Sequence, residues 1–179
     1  MTVLFSGGCK NGKSMLAQRT AKTLAGGGKL WYVATMIPHD EEDHARIHRH
    51  LREREGWGFE TLELGQNIET CAQLTGGEGT YLLDSVTALL ANEMFGSDGT
   101  VDLEATERTL AGLLHFLDTV EHAVLVSDGI YADARRYDAY TESYRRGLAM
   151  IDRALAKRCN AVVEVCAGVP YLHKGELPV

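Results

Sequence analysis

Six short apolar runs recur along the chain, and the segments between them place apolar residues every three or four positions. The runs cover residues 2–6, 29–35, 59–64, 80–85, 122–127 and 161–168. Their length and their valine, leucine and aromatic content predict strands. Segments 103–117 and 144–155 have the helical spacing. Because parallel strands need long crossovers, this alternation predicts one α/β domain over residues 1–179, with helices on both faces of a mostly parallel sheet.

The charge balance is acidic, with 18 Lys and Arg against 25 Asp and Glu and a formal charge of -7. Such a charge opposes attraction to the phosphate backbone of nucleic acids, which we therefore do not expect as partners. The first residues, MTVLFSGG, contain only three consecutive apolar residues and no basic segment. They predict neither a signal peptide nor a membrane span, so we expect a cytoplasmic protein.

The four cysteines are widely separated and form no C-x-x-C pair; they are Cys9, Cys71, Cys159 and Cys166. This spacing predicts neither a zinc site nor a disulfide framework. We expect reduced thiols that are mostly buried.

A glycine-rich segment, GGCKNGKS at residues 7–14, satisfies the pattern G-x-x-x-x-G-K-[ST] between a predicted strand and a predicted helix. Backbone N–H groups of such a loop converge on phosphate oxygens, and its glycines allow close approach. The predicted nucleotide-binding residues of this loop are Gly7, Gly8, Cys9, Lys10, Asn11, Gly12, Lys13 and Ser14. Lys13 is expected to contact the β and γ phosphates, and Ser14 to bind Mg²⁺. The pattern predicts a P-loop NTPase, a RecA-like three-layer sandwich that binds GTP or ATP.

A carboxylate at the end of a neighbouring strand is expected to help hold Mg²⁺, and Asp84 ends the apolar run YLLD. Aspartate is also a favoured helix cap, so the alternative is that Asp84 caps the helix that begins near Ser85.

The charged segment 40–54 predicts an amphipathic helix that contains three histidines. His44 and His48 are four residues apart and could share a metal, although no third ligand lies nearby in the sequence. A neutral imidazole can instead attack phosphorus and form a phosphoramidate. The residues alone do not select the histidine that would do so.

Five segments, in this order, resemble the bifunctional adenosylcobinamide kinase and adenosylcobinamide-phosphate guanylyltransferase family of cobalamin biosynthesis. They are FSGGCKNGKS (5–14), YVAT (32–35), RIHRH (46–50), LLDSVTALLANEMF (82–95) and VEVCAGVPYLHKG (163–175). The resemblance implies a homotrimer that phosphorylates the aminopropanol hydroxyl of adenosylcobinamide. It then implies transfer of GMP from GTP, through a histidine, to adenosylcobinamide phosphate, which gives adenosylcobinamide-GDP.

The family's guanylylated histidine lies in an R-I-x-x-H pattern, which selects His50 here and leaves His48 as the alternative. The resemblance also implies that the nucleotide site includes Ala34, Thr35, Met36, Leu51, Arg52, Glu53, Arg54, Glu63 and Asp84. Arg52 and Arg54 could neutralise the charge of the triphosphate, and the alternative is that both lie on a solvated helix surface.

The chain departs from the family at two places. Where the family commonly has T-N-E-V, residues 127–130 read Ser-Asp-Gly-Ile, so Gly129 replaces a glutamate. Whether the kinase activity survives depends on whether the adjacent Asp128 takes over. The family's Arg-Pro after the histidine helix is also altered, because Glu55 follows Arg54, and we expect this to change only a loop.

Three functions remain to be compared. The first is the bifunctional corrinoid enzyme with His50 as covalent carrier, its corrinoid held in an open groove. The second is a small-metabolite or nucleotide kinase of the same fold without a covalent histidine. The third is a nucleotide-sensing protein whose phosphate loop changes conformation without catalysis.

Overall fold

The computed structural model describes residues 1–38 and 40–178, and for Arg46 and Glu53 it describes the backbone alone. The strands are β1 (Thr2–Gly7), β2 (Leu30–Ala34), β3 (Glu60–Glu63), β4 (Thr80–Asp84), β5 (His122–Asp128), β6 (Ala161–Cys166) and β7 (Val169–Lys174). The helices are α1 (Lys13–Ala25), α2 (Glu41–Glu53), α3 (Cys71–Thr75), α4 (Val86–Met94), α5 (Ala105–Thr119) and α6 (Ala139–Arg158). All six predicted strands are confirmed, and the predicted helical segments lie in α1, α2, α4, α5 and α6.

The strands form one sheet in the order β3-β2-β4-β5-β1-β6-β7. The first six are parallel to their neighbours, whereas β7 runs antiparallel to β6. The sequence did not predict β7. It follows β6 through Ala167 and Gly168, whose φ angles of 50° and 83° match the two-residue turns that close hairpins.

The core lies in two layers, one on each face of the sheet. Because side chains alternate along a strand, Val3 and Phe5 of β1 face α1, while Leu4 faces the opposite side. On that side the sheet packs against α4, α5 and α6, with Leu113 and Ile151 among the fully buried residues. This arrangement brings the carboxyl ends of the parallel strands to one edge, where α/β folds bind ligands.

Asp40 caps the amino end of helix α2, because its side chain accepts a hydrogen bond of 2.8 Å from the Asp43 amide. Acidic residues fill its first turn and basic residues its last, which suits the helix dipole. His50 lies in the last turn of this helix.

The expectation that the cysteines are mostly buried is wrong for two of the four. Cys71 and Cys159 are buried, but Cys9 and Cys166 are exposed. Cys9 lies in the loop after β1, and Cys166 ends β6 where the hairpin turns, so neither reaches a core layer. Within the described part of the chain, no helix is both long enough and apolar enough to cross a bilayer.

Candidate active site

The phosphate loop links β1 to α1 through positions that require glycine. Gly7 has a φ of 146°, and a Cβ atom there would collide with the Val165 carbonyl oxygen and the Asn11 amide. Gly12 has a φ of 87° directly before α1. Asn11 braces the loop, because its Nδ2 donates to the Val165 carbonyl and its Oδ1 accepts 3.2 Å from the Lys13 amide. The loop is thus fixed between β1, β6 and α1.

Lys13 is buried at the start of α1, with 5% of its surface exposed. Its Nζ donates to the Gly8 carbonyl at 3.0 Å and lies 2.5 Å from Oδ1 of Asp128. Asp128 ends β5, and its amide donates to Oγ1 of Thr87 at 2.8 Å. The structure therefore places this aspartate, one position before Gly129, against the lysine that the sequence predicts to contact phosphate.

Gly129, at which the family resemblance implies a glutamate, donates its amide to the Gly7 carbonyl at 2.9 Å. A Cβ atom at Gly129 would lie 3.9 Å from the nearest Gly7 atoms, which is ordinary van der Waals contact. Gly129 is therefore not a steric requirement of the fold.

Asp84 ends β4 and faces the start of α1. Its Oδ2 accepts 2.9 Å from the Tyr32 hydroxyl, and the Ser14 hydroxyl also bonds its carboxylate. Burial raises the pKa of Asp84, while these hydrogen bonds and the nearby His50 lower it. Ser85, not Asp84, caps α4, because Oγ of Ser85 accepts 3.2 Å from the Ala88 amide. The helix-cap alternative for Asp84 is thereby wrong.

Ser14 and Asp84 are suited to Mg²⁺. The Ser14 hydroxyl interacts with the Asp84 carboxylate beside the phosphate loop. Mg²⁺ prefers oxygen ligands and is commonly held by one or two protein groups together with substrate phosphates. A cation here would also offset the burial that raises the pKa of Asp84.

Of the three histidines on α2, His50 is half-buried and contributes to lowering the pKa of Asp84. His44 and His48 are both exposed. Among the described side chains, no three His, Cys, Asp or Glu residues form a cluster that could hold a metal. The structure thus brings His50 within electrostatic range of the carboxylate that ends β4.

Arg54, just after α2, is buried rather than solvated, with 7% of its surface exposed. Its guanidinium carbon lies 3.8 Å from the centre of the Tyr32 ring, and Nη2 donates 3.1 Å to Oγ1 of Thr61. A guanidinium over an aromatic face is a favourable cation–π contact. Since the Tyr32 hydroxyl bonds Asp84, Arg54 connects the end of the histidine helix to that carboxylate.

The remaining predicted residues follow the edge of the sheet away from the phosphate loop. Thr35 is buried and exchanges hydrogen bonds with Ser85, whose carbonyl accepts at 2.8 Å and whose amide donates at 2.7 Å. Ala34 pairs in register with Glu63 on one side and with Asp84 on the other. Glu63, Leu51 and Arg52 are exposed, Ala34 and Met36 are half-buried, and the side chain of Glu53 lies outside the described residues.

The edge is long enough for a nucleotide. Four strand spacings of about 4.8 Å, roughly 19 Å in all, separate the ends of β3 and β1. This places Glu63 far from the phosphate loop, with Asp84 between them.

Sequence reasoning missed a buried polar cluster behind Asp128. Oδ2 of Asp152, on α6, accepts 2.9 Å from the Ser127 hydroxyl and 2.8 Å from the Tyr131 hydroxyl. Its Oδ1 is buried without a hydrogen-bond partner among the described residues. Burial raises the pKa of Asp152 to about 6, and the charge of Asp128 adds to the rise. The sequence signal was an acid between Leu148 and Leu155 on an otherwise apolar face.

Comparisons with known proteins show the family and the fold of the chain. The sequence model of the CobU family, cobinamide kinase / cobinamide phosphate guanyltransferase, matches residues 3–172. The bifunctional adenosylcobalamin biosynthesis protein CobP of Pseudomonas aeruginosa is 28% identical over 176 residues, covering 98% of this chain and 99% of that protein.

Solved structures show the fold alone. One solved ATPase domain has a TM-score of 0.52 and 10% identity, covering 91% of this chain and 68% of that one. The flagellar accessory protein FlaH from Methanocaldococcus jannaschii has a TM-score of 0.47 and 12% identity, covering 98% and 78%. The likeness to the ATPase domain confirms the predicted RecA-like α/β class. Because the family match extends from β1 into β7, this chain belongs to the cobinamide kinase / cobinamide phosphate guanyltransferase family.

Proposed function

We propose that this bifunctional cobinamide kinase and cobinamide phosphate guanylyltransferase performs both reactions along one edge of its sheet, with His50 as the covalent carrier of GMP. The observation that carries the proposal is the position of His50. It is half-buried on α2, and its charge acts on Asp84, whose carboxylate interacts with Ser14 of the phosphate loop. This supports a role for His50 toward the phosphates of a nucleotide bound on that loop.

The phosphates of GTP or ATP would lie on the backbone amides of residues 7–14, at the amino end of α1. Lys13 would leave Asp128 and contact the β and γ phosphates. Ser14 and Asp84 would hold Mg²⁺. When bound, Mg²⁺ neutralises negative charge on the β and γ phosphate oxygens.

For guanylyl transfer, an imidazole nitrogen of His50 attacks the α-phosphorus of GTP, and pyrophosphate leaves with the electrons of the broken P–O bond. Lys13 and the exposed Arg52 would offset negative charge on the departing pyrophosphate. A phosphate oxygen of cobinamide phosphate then attacks the phosphoramidate. This releases neutral His50 and gives cobinamide-GDP.

The base and ribose of GTP would lie at the far end of the edge, along Ala34, Thr35, Met36, Leu51 and Glu63. The exposed carboxylate of Glu63 is an acceptor that suits the two N–H donors on the edge of guanine. Its register with Ala34 and the distance from the phosphate loop support this orientation.

Three further features of the enzyme are also proposals. As the family resemblance implies, we expect a homotrimer, and the exposed apolar side chains of β7 support association. We expect the protein to act in the cytoplasm, where nucleoside triphosphates are available. Adenosylcobinamide and its phosphate would be the natural corrinoid substrates.

The test is incubation with magnesium and GTP labelled on the α-phosphate. The native protein is expected to form an adduct that is labile in acid and stable in alkali, as a phosphoramidate is. His50→Ala is expected to abolish the adduct. The matched control is His48→Ala, which removes an exposed histidine two residues away and is expected to retain it. Label on the His50→Ala protein, or loss with His48→Ala alone, would contradict the assignment.

A further inference from the structure

We infer that Asp128 is the general base of the phosphoryl transfer, the carboxylate that receives the proton of the cobinamide hydroxyl. The inference rests on the proposed function and adds a catalytic residue to its kinase half. It also explains how this chain works with Gly129 in place of the family's glutamate, because the carboxylate lies one position earlier.

Asp128 lies at the end of the phosphate loop where the γ phosphate is expected. Its Oδ1 lies 2.5 Å from Nζ of Lys13, the side chain expected to contact the γ phosphate. Its backbone is fixed by the hydrogen bond of its amide to Thr87 and by that of Gly129 to Gly7. About one quarter of the Asp128 side chain is exposed, against 6% for Lys13. An acceptor hydroxyl can therefore reach the carboxylate from solvent.

The other carboxylates of this region are committed elsewhere. Asp84 is bonded by Tyr32 and Ser14 and is assigned to Mg²⁺. Asp152 is only 5% exposed and accepts two hydroxyl hydrogen bonds. Asp133 forms an ion pair with Arg145 at 2.7 Å. Asp128 differs from all three because its partner, Lys13, is the side chain that the nucleotide phosphates would bind.

Nucleotide binding would thus free the Asp128 carboxylate to accept a proton. When Lys13 turns to the phosphates, Asp128 loses its counterion while remaining beside the γ phosphate. The ionisable groups that face it are Lys13, Asp84, Asp152 and Tyr144. Burial is the main cause of the raised pKa of Asp84 and of Asp152, and the charge of Asp128 adds to both. The charge on Asp128 therefore affects proton binding at both Asp84 and Asp152.

The acceptor hydroxyl oxygen forms a bond to the γ-phosphorus while its proton passes to a carboxylate oxygen of Asp128. The bond from the γ-phosphorus to the β,γ-bridging oxygen breaks, and the nucleoside diphosphate keeps that electron pair. Asp128 then returns the proton to water.

The experiment measures two reactions of the full-length enzyme with Mg²⁺. One is transfer from γ-labelled nucleotide to cobinamide, and the other is adduct formation from α-labelled GTP. In Asp128→Asn, kcat of the first reaction is expected to fall by roughly 100- to 10,000-fold, the usual contribution of general base catalysis. KM for nucleotide should not rise, because the variant no longer holds Lys13 by charge. Adduct formation involves no alcohol and should continue.

Two further variants complete the design. Asp128→Glu retains a carboxylate and is expected to keep more kinase activity than Asp128→Asn. Asp118→Asn is the matched control, since Asp118 forms an ion pair of the same 2.5 Å length with Arg158 at the far end of α5. It should leave both reactions unchanged.

Three outcomes would overturn the inference. The first is kcat of Asp128→Asn staying close to the native value. The second is a proportional loss of both reactions, which would mean that Asp128 only organises the nucleotide site. The third is equal kinase loss in Asp128→Glu and Asp128→Asn. Failure of the proposed function is distinguishable, because it would appear as absence of the His50 adduct in the native protein.

Discussion

Asp152 lies within the packed face of α6, where the described residues donate hydrogen bonds to only one of its carboxylate oxygens. Removing a carboxylate from water disfavours its charged form, which is why its pKa rises to about 6 from an ordinary value of 3.8. The folded state therefore binds this proton more tightly than the unfolded state does. The free energy of unfolding should fall as pH rises between these two values, and level off above about 6.

Asp152→Asn removes that titration. At about pH 7.5 the variant should gain up to about 3 kcal/mol in free energy of unfolding relative to native protein, since each tenfold change in proton affinity is worth about 1.4 kcal/mol. Near pH 4.5 the gain should be clearly smaller. Urea unfolding at both pH values measures it, and a difference between the two proteins that is independent of pH would contradict the interpretation.

Individual residues also show which features of the site the sequence could predict and which it could not. A strand, a glycine loop and a lysine predicted the phosphate site, because those features are local. The Lys13–Asp128 pair joins the start of α1 to the end of β5, which are brought together only in the folded protein, and no spacing rule connects them. Arg54 is charged, and charged side chains are usually solvated. It is nevertheless buried, because its guanidinium packs on the Tyr32 ring.

Among the elements, the loop between β1 and α1 depends on the backbone of its first glycine. The φ of Gly7 and the closeness of the Val165 carbonyl leave no room for a side chain. By contrast, a Cβ atom at Gly8 would meet nothing within 4 Å. A substitution at Gly8 can therefore serve as the control for the same substitution at Gly7.

Gly7→Ala is expected to lower the free energy of unfolding by more than about 1 kcal/mol and to weaken nucleotide binding, because the loop must shift to admit the methyl group. Gly8→Ala is expected to change stability by less than about 0.5 kcal/mol. Thermal unfolding and nucleotide titration of both variants make the comparison. Equal loss of stability in the two would show that the loop does not have this geometry.

Strands differed in how well they could be predicted. Five of the parallel strands have at least three buried residues and read as apolar runs, while β3 at the edge was recognised from FETLEL. In β7 every residue is exposed and the second is Pro170, so neither burial nor alternation marked it. Its position depends instead on the tight turn at Ala167 and Gly168.

For the molecule as a whole, β7 is an edge strand of the sheet, with β6 as its single partner among the described residues. Val169, Tyr171 and Leu172 are about half exposed there. Exposed apolar edge strands favour pairing with other chains. This edge is therefore the surface at which the proposed trimer is most simply tested.

The native protein is expected to sediment at three times the mass of the chain. Leu172→Glu adds a charge to this edge of an already acidic protein and should shift the distribution to lower mass. Leu103→Glu, at a leucine that is 60% exposed before α5, should not. A native protein that sediments as a monomer, or a Leu172→Glu protein that remains trimeric, would contradict this expectation.

The chain carries its P-loop motif once, in residues 7–14, and both proposed reactions use it. That loop would hold the diphosphate that leaves in the kinase reaction and the pyrophosphate that leaves in guanylylation. The two reactions must then alternate in time, with the first spent nucleotide expelled before a fresh one enters. Accumulated nucleoside diphosphate would slow both halves of the cycle together, as a common product inhibitor.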